Sequence, residues 1–127
     1  MHARGRLGAL GEELAAAHLQ RLGFDVIERN VRTRTGEIDL IAFDGHTLVF
    51  AEVKTARAGP GASRQEAVPL EWLLPRQRLR IRRLARAWLA DPKRHHPRAT
   101  EVRFDAIGVV LDAGGRLLAL EHLEGAW

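Results

Sequence analysis

Leucines at 7, 10, 14, 19 and 22, with alanines between them, recur at helical spacing, and Gly23 stops the run. The pattern predicts an amphipathic helix over residues 7–22 with a glycine stop signal. At about 100° per residue, Glu12 falls about 20° from Leu19, on the border of the apolar stripe, while Glu13 projects away from it. Of the two acids, Glu12 is the one placed to look inward. Residues 24–30 (FDVIERN) then alternate and suit a first strand, and residues 37–43 suit a second. Asp44-Gly45 is a strong hairpin signal before a third strand at 47–55.

Parity along these strands is informative. Asp39 shares its face with Ile41 and Phe43, and Glu52 shares its face with Leu48, Phe50 and Lys54. The opposite faces carry Ile38, Leu40, Val49 and Val53, so both strands read as covered on two sides by helices. Residues 56–70, rich in glycine, proline and polar groups, predict a mobile loop. Helical spacing returns over 71–89 through Leu73, Leu79, Ile81, Leu84, Trp88 and Leu89, with Pro75 tolerated only near its start. A proline-bearing linker at 90–100 leads to two further strands, 102–111 and 117–123, across Asp112-Ala113-Gly114-Gly115. The expected fold is α/β, a central mixed sheet of about five strands flanked by helices in the order α-β-β-β-α-β-β. A chain of 127 residues makes this a single domain, 1–127.

Composition narrows the chemistry. The absence of cysteine excludes disulfides and thiolate-held zinc or iron–sulfur clusters. No apolar run reaches the ~18 residues of a membrane span, and residues 1–6 lead into no signal-peptide core, so a cytoplasmic protein is expected. The formal charge is +4. The positive residues are clustered: Arg76, Arg78, Arg80, Arg82, Arg83 and Arg86 crowd one helix. Such clustering points to a polyanion partner, with a merely solvated helix face as the plain alternative.

Against that background, Asp39 and the Glu52-Val53-Lys54 triplet stand out. Two carboxylates brought together on adjacent strands repel unless a cation lies between them. A magnesium ion, with manganese as its substitute, takes carboxylates, main-chain carbonyls and waters, so Asp39, Glu52 and the Val53 carbonyl form a candidate ligand set. Lys54 is placed to orient a water or to stabilise charge on a phosphate, and Glu12 to add an outer contact. This is the outline of phosphodiester hydrolysis. The bland reading makes Glu37 or Asp39 a turn-capping acid and Glu52–Lys54 a surface pair of little worth. His95-His96, flanked by prolines without ligand spacing, reads as solvated linker. The tryptophans at 72, 88 and 127 read as packing residues.

The segments GEELAAAHL, GFDVIERNVRTRTGEIDLIA, LVFAEVKTA, RLARAWL, VRFDAIGV and HLEGAW together resemble the YraN-like family over nearly the whole chain. That resemblance implies membership of the PD-(D/E)XK nuclease superfamily, with a core like restriction endonucleases and Holliday junction resolvases. It implies Asp39, Glu52 and Lys54 as catalytic trio and Glu12 as the first-helix acid. Many such proteins carry a lysine early in the second helix; here Gln77 stands at that place, beside Arg76. The expectation is a magnesium-dependent endonuclease acting on DNA, branched or otherwise structured DNA included, with Arg76, Arg80 and Arg83 on phosphates. Reaction geometry alone suggests a two-fold homodimer, one site per strand. The alternative is a non-catalytic nucleic-acid-binding or interaction module on the same fold.

Overall fold

The computed structural model describes residues 5–34, 36–59 and 75–126, with the side chains of 75–77 excepted. Helix α1 (Gly5–Arg21) is followed by strands β1 (Asp25–Thr33), β2 (Gly36–Phe43) and β3 (Thr47–Arg57). Helix α2 (Pro75–Ala90) then leads to β4 (Glu101–Leu111) and β5 (Leu117–Leu123). The five strands form one sheet in chain order, antiparallel at every junction except β3–β4, which is parallel. A parallel pair cannot be joined by a tight turn, and the connection here contains α2. The fold is therefore α/β with a mixed five-stranded sheet, in the expected order of elements. Among the described residues no helix is long and apolar enough to cross a membrane.

Each face of the sheet has its own core. Ala15, Ala16 and Leu19 of α1 pack on Leu40, Ala42, Val49, Ala51, Val53, Ile107, Val109 and Leu111. Leu84, Ala85 and Trp88 of α2 pack on Val31, Ile38, Ile41, Leu48 and Phe50. Neighbouring residues of β3 thus point into opposite cores, which is why residues 47–53 are buried without interruption. The hairpin into β3 is fixed by Asp44, whose Oδ1 accepts the N–H groups of His46 (2.9 Å) and Thr47 (2.6 Å), while Gly45 takes φ +98°.

Two details depart from simple alternation. Ile38 and Leu40, expected on one face, lie in different cores. The β2–β3 ladder runs only from Leu40↔Ala51 to Phe43↔Leu48, whereas the β1–β2 ladder continues to Thr33↔Gly36. Below Leu40, β2 is therefore held by β1 alone, and a two-stranded ribbon twists more than a strand paired on both edges. The sheet forks at Asp39. The second detail concerns His96, expected in solvated linker: its Nε2 donates to the Trp88 carbonyl at 2.6 Å and its ring lies edge-on to Trp88. His95 is exposed, and Trp88 itself is core. The expected loop at 56–70 begins later, because β3 runs to Arg57; residues 60–74, with Trp72, and residue 127 lie outside the described residues.

α1 crosses β3, beyond the end of its ladder with β2, at very short range. A Cβ on Gly11 would sit 1.7 Å from Oγ1 of Thr55, so only glycine allows the approach. The contact brings the next residue, Glu12, down into the fork.

Candidate active site

Continued beyond Leu40↔Ala51, the ladder would set Asp39 opposite Glu52 and then Ile38 opposite Val53. The fork removes that partner, and the Asp39 carboxylate replaces it: Val53 N–H donates to Asp39 Oδ2 at 2.8 Å. Asp39 is thereby fixed beside the strand that carries Glu52 and Lys54. What the structure shows of Val53 is this N–H, with the residue lining the fork.

Glu52 is 8% exposed, and its Oε2 is buried without a hydrogen-bond partner. Its Oε1 lies 3.9 Å from Nζ of Lys54, whose side chain is 42% exposed. Burial pushes the Glu52 carboxyl above its ordinary range; Lys54 opposes the rise, the Asp39 charge adds to it, and Arg80 opposes it in turn. Both Asp39 and Arg80 are thus close enough to be felt electrostatically. Leaving a buried acceptor unsatisfied costs roughly 1–3 kcal/mol, more when it is charged. Folding alone gives no reason for that cost.

Glu12, 8% exposed, enters from α1. One ligand oxygen each from Glu12, Glu37 and Asp39 lie within 4.8 Å of one another. Two carboxylate charges at 4.8 Å repel by roughly 3 kcal/mol at an effective dielectric of about 20. Glu37 was not among the expected site residues. Strand alternation carried the signal, since Glu37 and Asp39 are two apart and share a face. Arg32, its cross-strand partner on β1, holds Glu37 through Nε at 3.2 Å from Oε2.

These acids line an open cleft of about 840 Å³ together with Lys54, Arg32 and Arg80. Arg80 lies along the backbone of Gly36, where a Cβ would meet its Cδ at 3.4 Å. Arg83 is exposed on α2 and does not line the cleft. Arg76 and Gln77 fall in the first turn of α2, and their side chains lie outside the described residues.

A second polar cluster, missed by sequence reasoning, sits away from the cleft. Asp105 is fully buried and accepts from Arg103 Nε (2.8 Å) and Nη2 (2.9 Å), from the Gly125 N–H (3.1 Å), and pairs with His122 Nε2 (2.7 Å). His122 Nδ1 in turn meets His18 Nε2 at 3.0 Å. Burial pushes the Asp105 carboxyl up, but His122, Arg103 and the Gly125 N–H outweigh it and hold the group below its ordinary range. Burial, then the charge of His122, lowers His18. The cluster ties α1, β4 and β5 to residues 124–126, where Ala126 N–H also donates to Phe104 (2.7 Å) and Arg103 reaches Glu124 (3.7 Å). The available signal was an acid inside the apolar run VRFDAIGVVL.

Residues 11–109 match the model of a family described as "Uncharacterised protein family UPF0102". The chain is 43% identical over 128 residues to a UPF0102 protein of Frankia casuarinae, covering all of both chains. It is 46% identical over 115 residues to one of Acidothermus cellulolyticus, covering 85% of this chain and 83% of that one. It is also 46% identical over 126 residues to one of Streptomyces griseus, covering 98% of each.

Proposed function

The chain belongs to the UPF0102 family, and from that premise and the forked cleft we propose a magnesium-dependent nuclease of the PD-(D/E)XK kind that hydrolyses DNA phosphodiesters. The observation that carries the reading is the buried Oε2 of Glu52, left without a hydrogen-bond partner in a cleft that also holds Asp39, Lys54 and Arg80. The donors are carboxylate oxygens, which suit a hard cation such as magnesium or manganese, and an orphaned buried carboxylate oxygen fits such an ion. Asp39, Glu52 and the Val53 carbonyl would hold it. When bound, the ion supplies positive charge for the phosphate and lowers the pKa of water.

The remaining work falls to the chain's own side chains. Lys54, 3.9 Å from Glu52 and part-exposed, donates to the attacking water or to the phosphate. Glu12 accepts a hydrogen bond from water on the α1 side of the cleft. Arg80 contacts the phosphate inside the cleft. Arg83 and Arg76, with Gln77 beside them, extend the contact along α2 to neighbouring phosphates, giving binding that depends on salt and little on sequence. The proposed substrate is DNA, branched or otherwise structured forms included, met in the cytoplasm; a two-fold pair of chains would match one site to each strand.

Asp39→Asn and Glu52→Gln are each expected to abolish magnesium-dependent cleavage of supercoiled and four-way-junction DNA. Binding of the same DNA in EDTA should stay equal or tighten, because a negative charge has been removed. Cleavage at the parent rate by both variants would remove the basis of the proposal.

A further inference from the structure

Away from the cleft, His18 of α1 and His122 of β5 stand nitrogen to nitrogen, Nε2 of the first 3.0 Å from Nδ1 of the second, although 104 residues separate them in the chain. Their rings lie at 80° with centroids 5.0 Å apart, so they meet at their edges and do not stack. The other nitrogen of His122 is engaged. Its Nε2 lies 2.7 Å from Oδ2 of the fully buried Asp105, and Arg103 and the Gly125 N–H fix that carboxylate in turn. An ionised carboxylate has no proton to give, so His122 donates from Nε2 and, when neutral, turns a bare Nδ1 towards His18. A carboxylate holding the outer N–H of an imidazole fixes its tautomer and its angle, as it does behind histidines that ligate metal.

We propose that His18 Nε2 and His122 Nδ1 form a seat for a zinc ion, with Asp105 orienting His122 from behind and Glu124 as third ligand. Tetrahedral zinc with bonds of about 2.0–2.1 Å holds adjacent nitrogens about 3.3–3.4 Å apart, so the two rings need part by only about 0.3–0.4 Å. Binding shifts the His18 proton to its own Nδ1, and both rings stay neutral. Burial already holds His18 below its ordinary range, which keeps it in the neutral form that ligates. Imidazole donors suit zinc, whereas magnesium keeps to oxygen. Glu124 is 57% exposed, with Oε2 3.7 Å from Arg103 Nη1, and its charge is felt at His18, as is the opposing charge of Arg21. A turn of that exposed side chain brings it to the ion, and water completes the tetrahedron. The ion would pin α1 to β5, and the proposal stands apart from the nuclease reading.

The test is titration of the untagged, metal-free protein with Zn2+, followed by long-range 15N–1H correlation spectra of the histidine rings. One equivalent should move Nε2 of His18 and Nδ1 of His122 together and leave His95 and His96 in place. The affinity read at His122 should fall by about 10-fold or more in His18→Gln, and should fall in Glu124→Gln as well. Zinc that leaves both rings unshifted, or that moves His95 or His96 instead, overturns the proposal. Parent affinity in His18→Gln or in Glu124→Gln does the same. Should a variant fold poorly, the ring spectra of the parent alone decide, and cleavage of DNA plays no part in the readout.

Discussion

Replacing Asp105 by asparagine tests how the end of the described chain is held. The carboxylate is fully buried and serves four partners, Arg103 Nε, Arg103 Nη2, the Gly125 N–H and His122 Nε2. Oδ1 takes Arg103 Nε and Gly125; Oδ2 takes Arg103 Nη2 and His122. Asparagine must turn an NH2 group towards one of these pairs. Pointed at His122, it is tolerated if the imidazole moves its proton to Nδ1, where His18 can accept it, but Arg103 Nη2 still faces a donor. At least one charge-assisted bond is lost, about 1.5–3 kcal/mol, and the guanidinium loses its counter-charge. Removing one partner of a buried pair costs about 3–5 kcal/mol. With Arg103 one-fifth exposed, the lower end applies, about 3 kcal/mol. In a domain of this size 1 kcal/mol moves the melting temperature by roughly 3–5 °C, so the variant should melt about 10–15 °C below the parent. Thermal and urea unfolding followed by circular dichroism measure this. A melting temperature within 3 °C of the parent would show that the network carries no net stability and that the ion-pair reasoning is wrong.

The same network makes stability sensitive to acid. A group lowered on folding contributes stability that is complete above its unfolded pKa and lost as pH falls through the folded value. The urea midpoint should therefore fall first below pH 6.5, where His18 begins to resist protonation, and again below 3.8 through Asp105. His18→Gln should flatten the first step; an unchanged profile between pH 6.5 and 5 would count against it. Gly11→Ala places a methyl 1.7 Å from Thr55 Oγ1 and should cost about 1–3 kcal/mol despite alanine's better helix propensity. Thr55→Gly in the same chain should recover part of that loss, and equal stability of Gly11→Ala and parent would refute the close approach. Removing Arg80 and Arg83 together should weaken DNA binding and lower the slope of log affinity against log salt by about 2. An unaltered slope would place the phosphates elsewhere.

Local signals carried much of the architecture. The α1 stripe put Glu12 at its inner border, and the residue is 8% exposed. The run LVFAEV announced a strand buried on both faces, and Asp44-Gly45 marked its hairpin. Pro75 was tolerated only near a helix start, and it opens α2, where its missing N–H costs nothing. What escaped depended on partners distant in the chain. Alternation assumes an undistorted strand, so it could not foresee that β2 leaves β3 below Leu40 and sends Ile38 to the other core. Glu37 stood two residues from Asp39 in the sequence and was read only as a turn cap. The Asp105 network joins residues 18, 103, 105, 122 and 125 across three elements, and no window along the sequence contains it.

The fork gives two of the acids in the cleft, Asp39 and Glu52, unequal employment. Asp39 closes a gap in the backbone by receiving the amide of Val53, so it has a reason to persist even in a copy that cuts nothing. Glu52 has no such second duty: its inner oxygen is stranded, and a neutral residue of similar shape would suit the fold better. Among proteins built on this plan, an aspartate at the fork therefore says little about chemistry. A glutamate kept at the other position, against the interest of stability, is the informative witness.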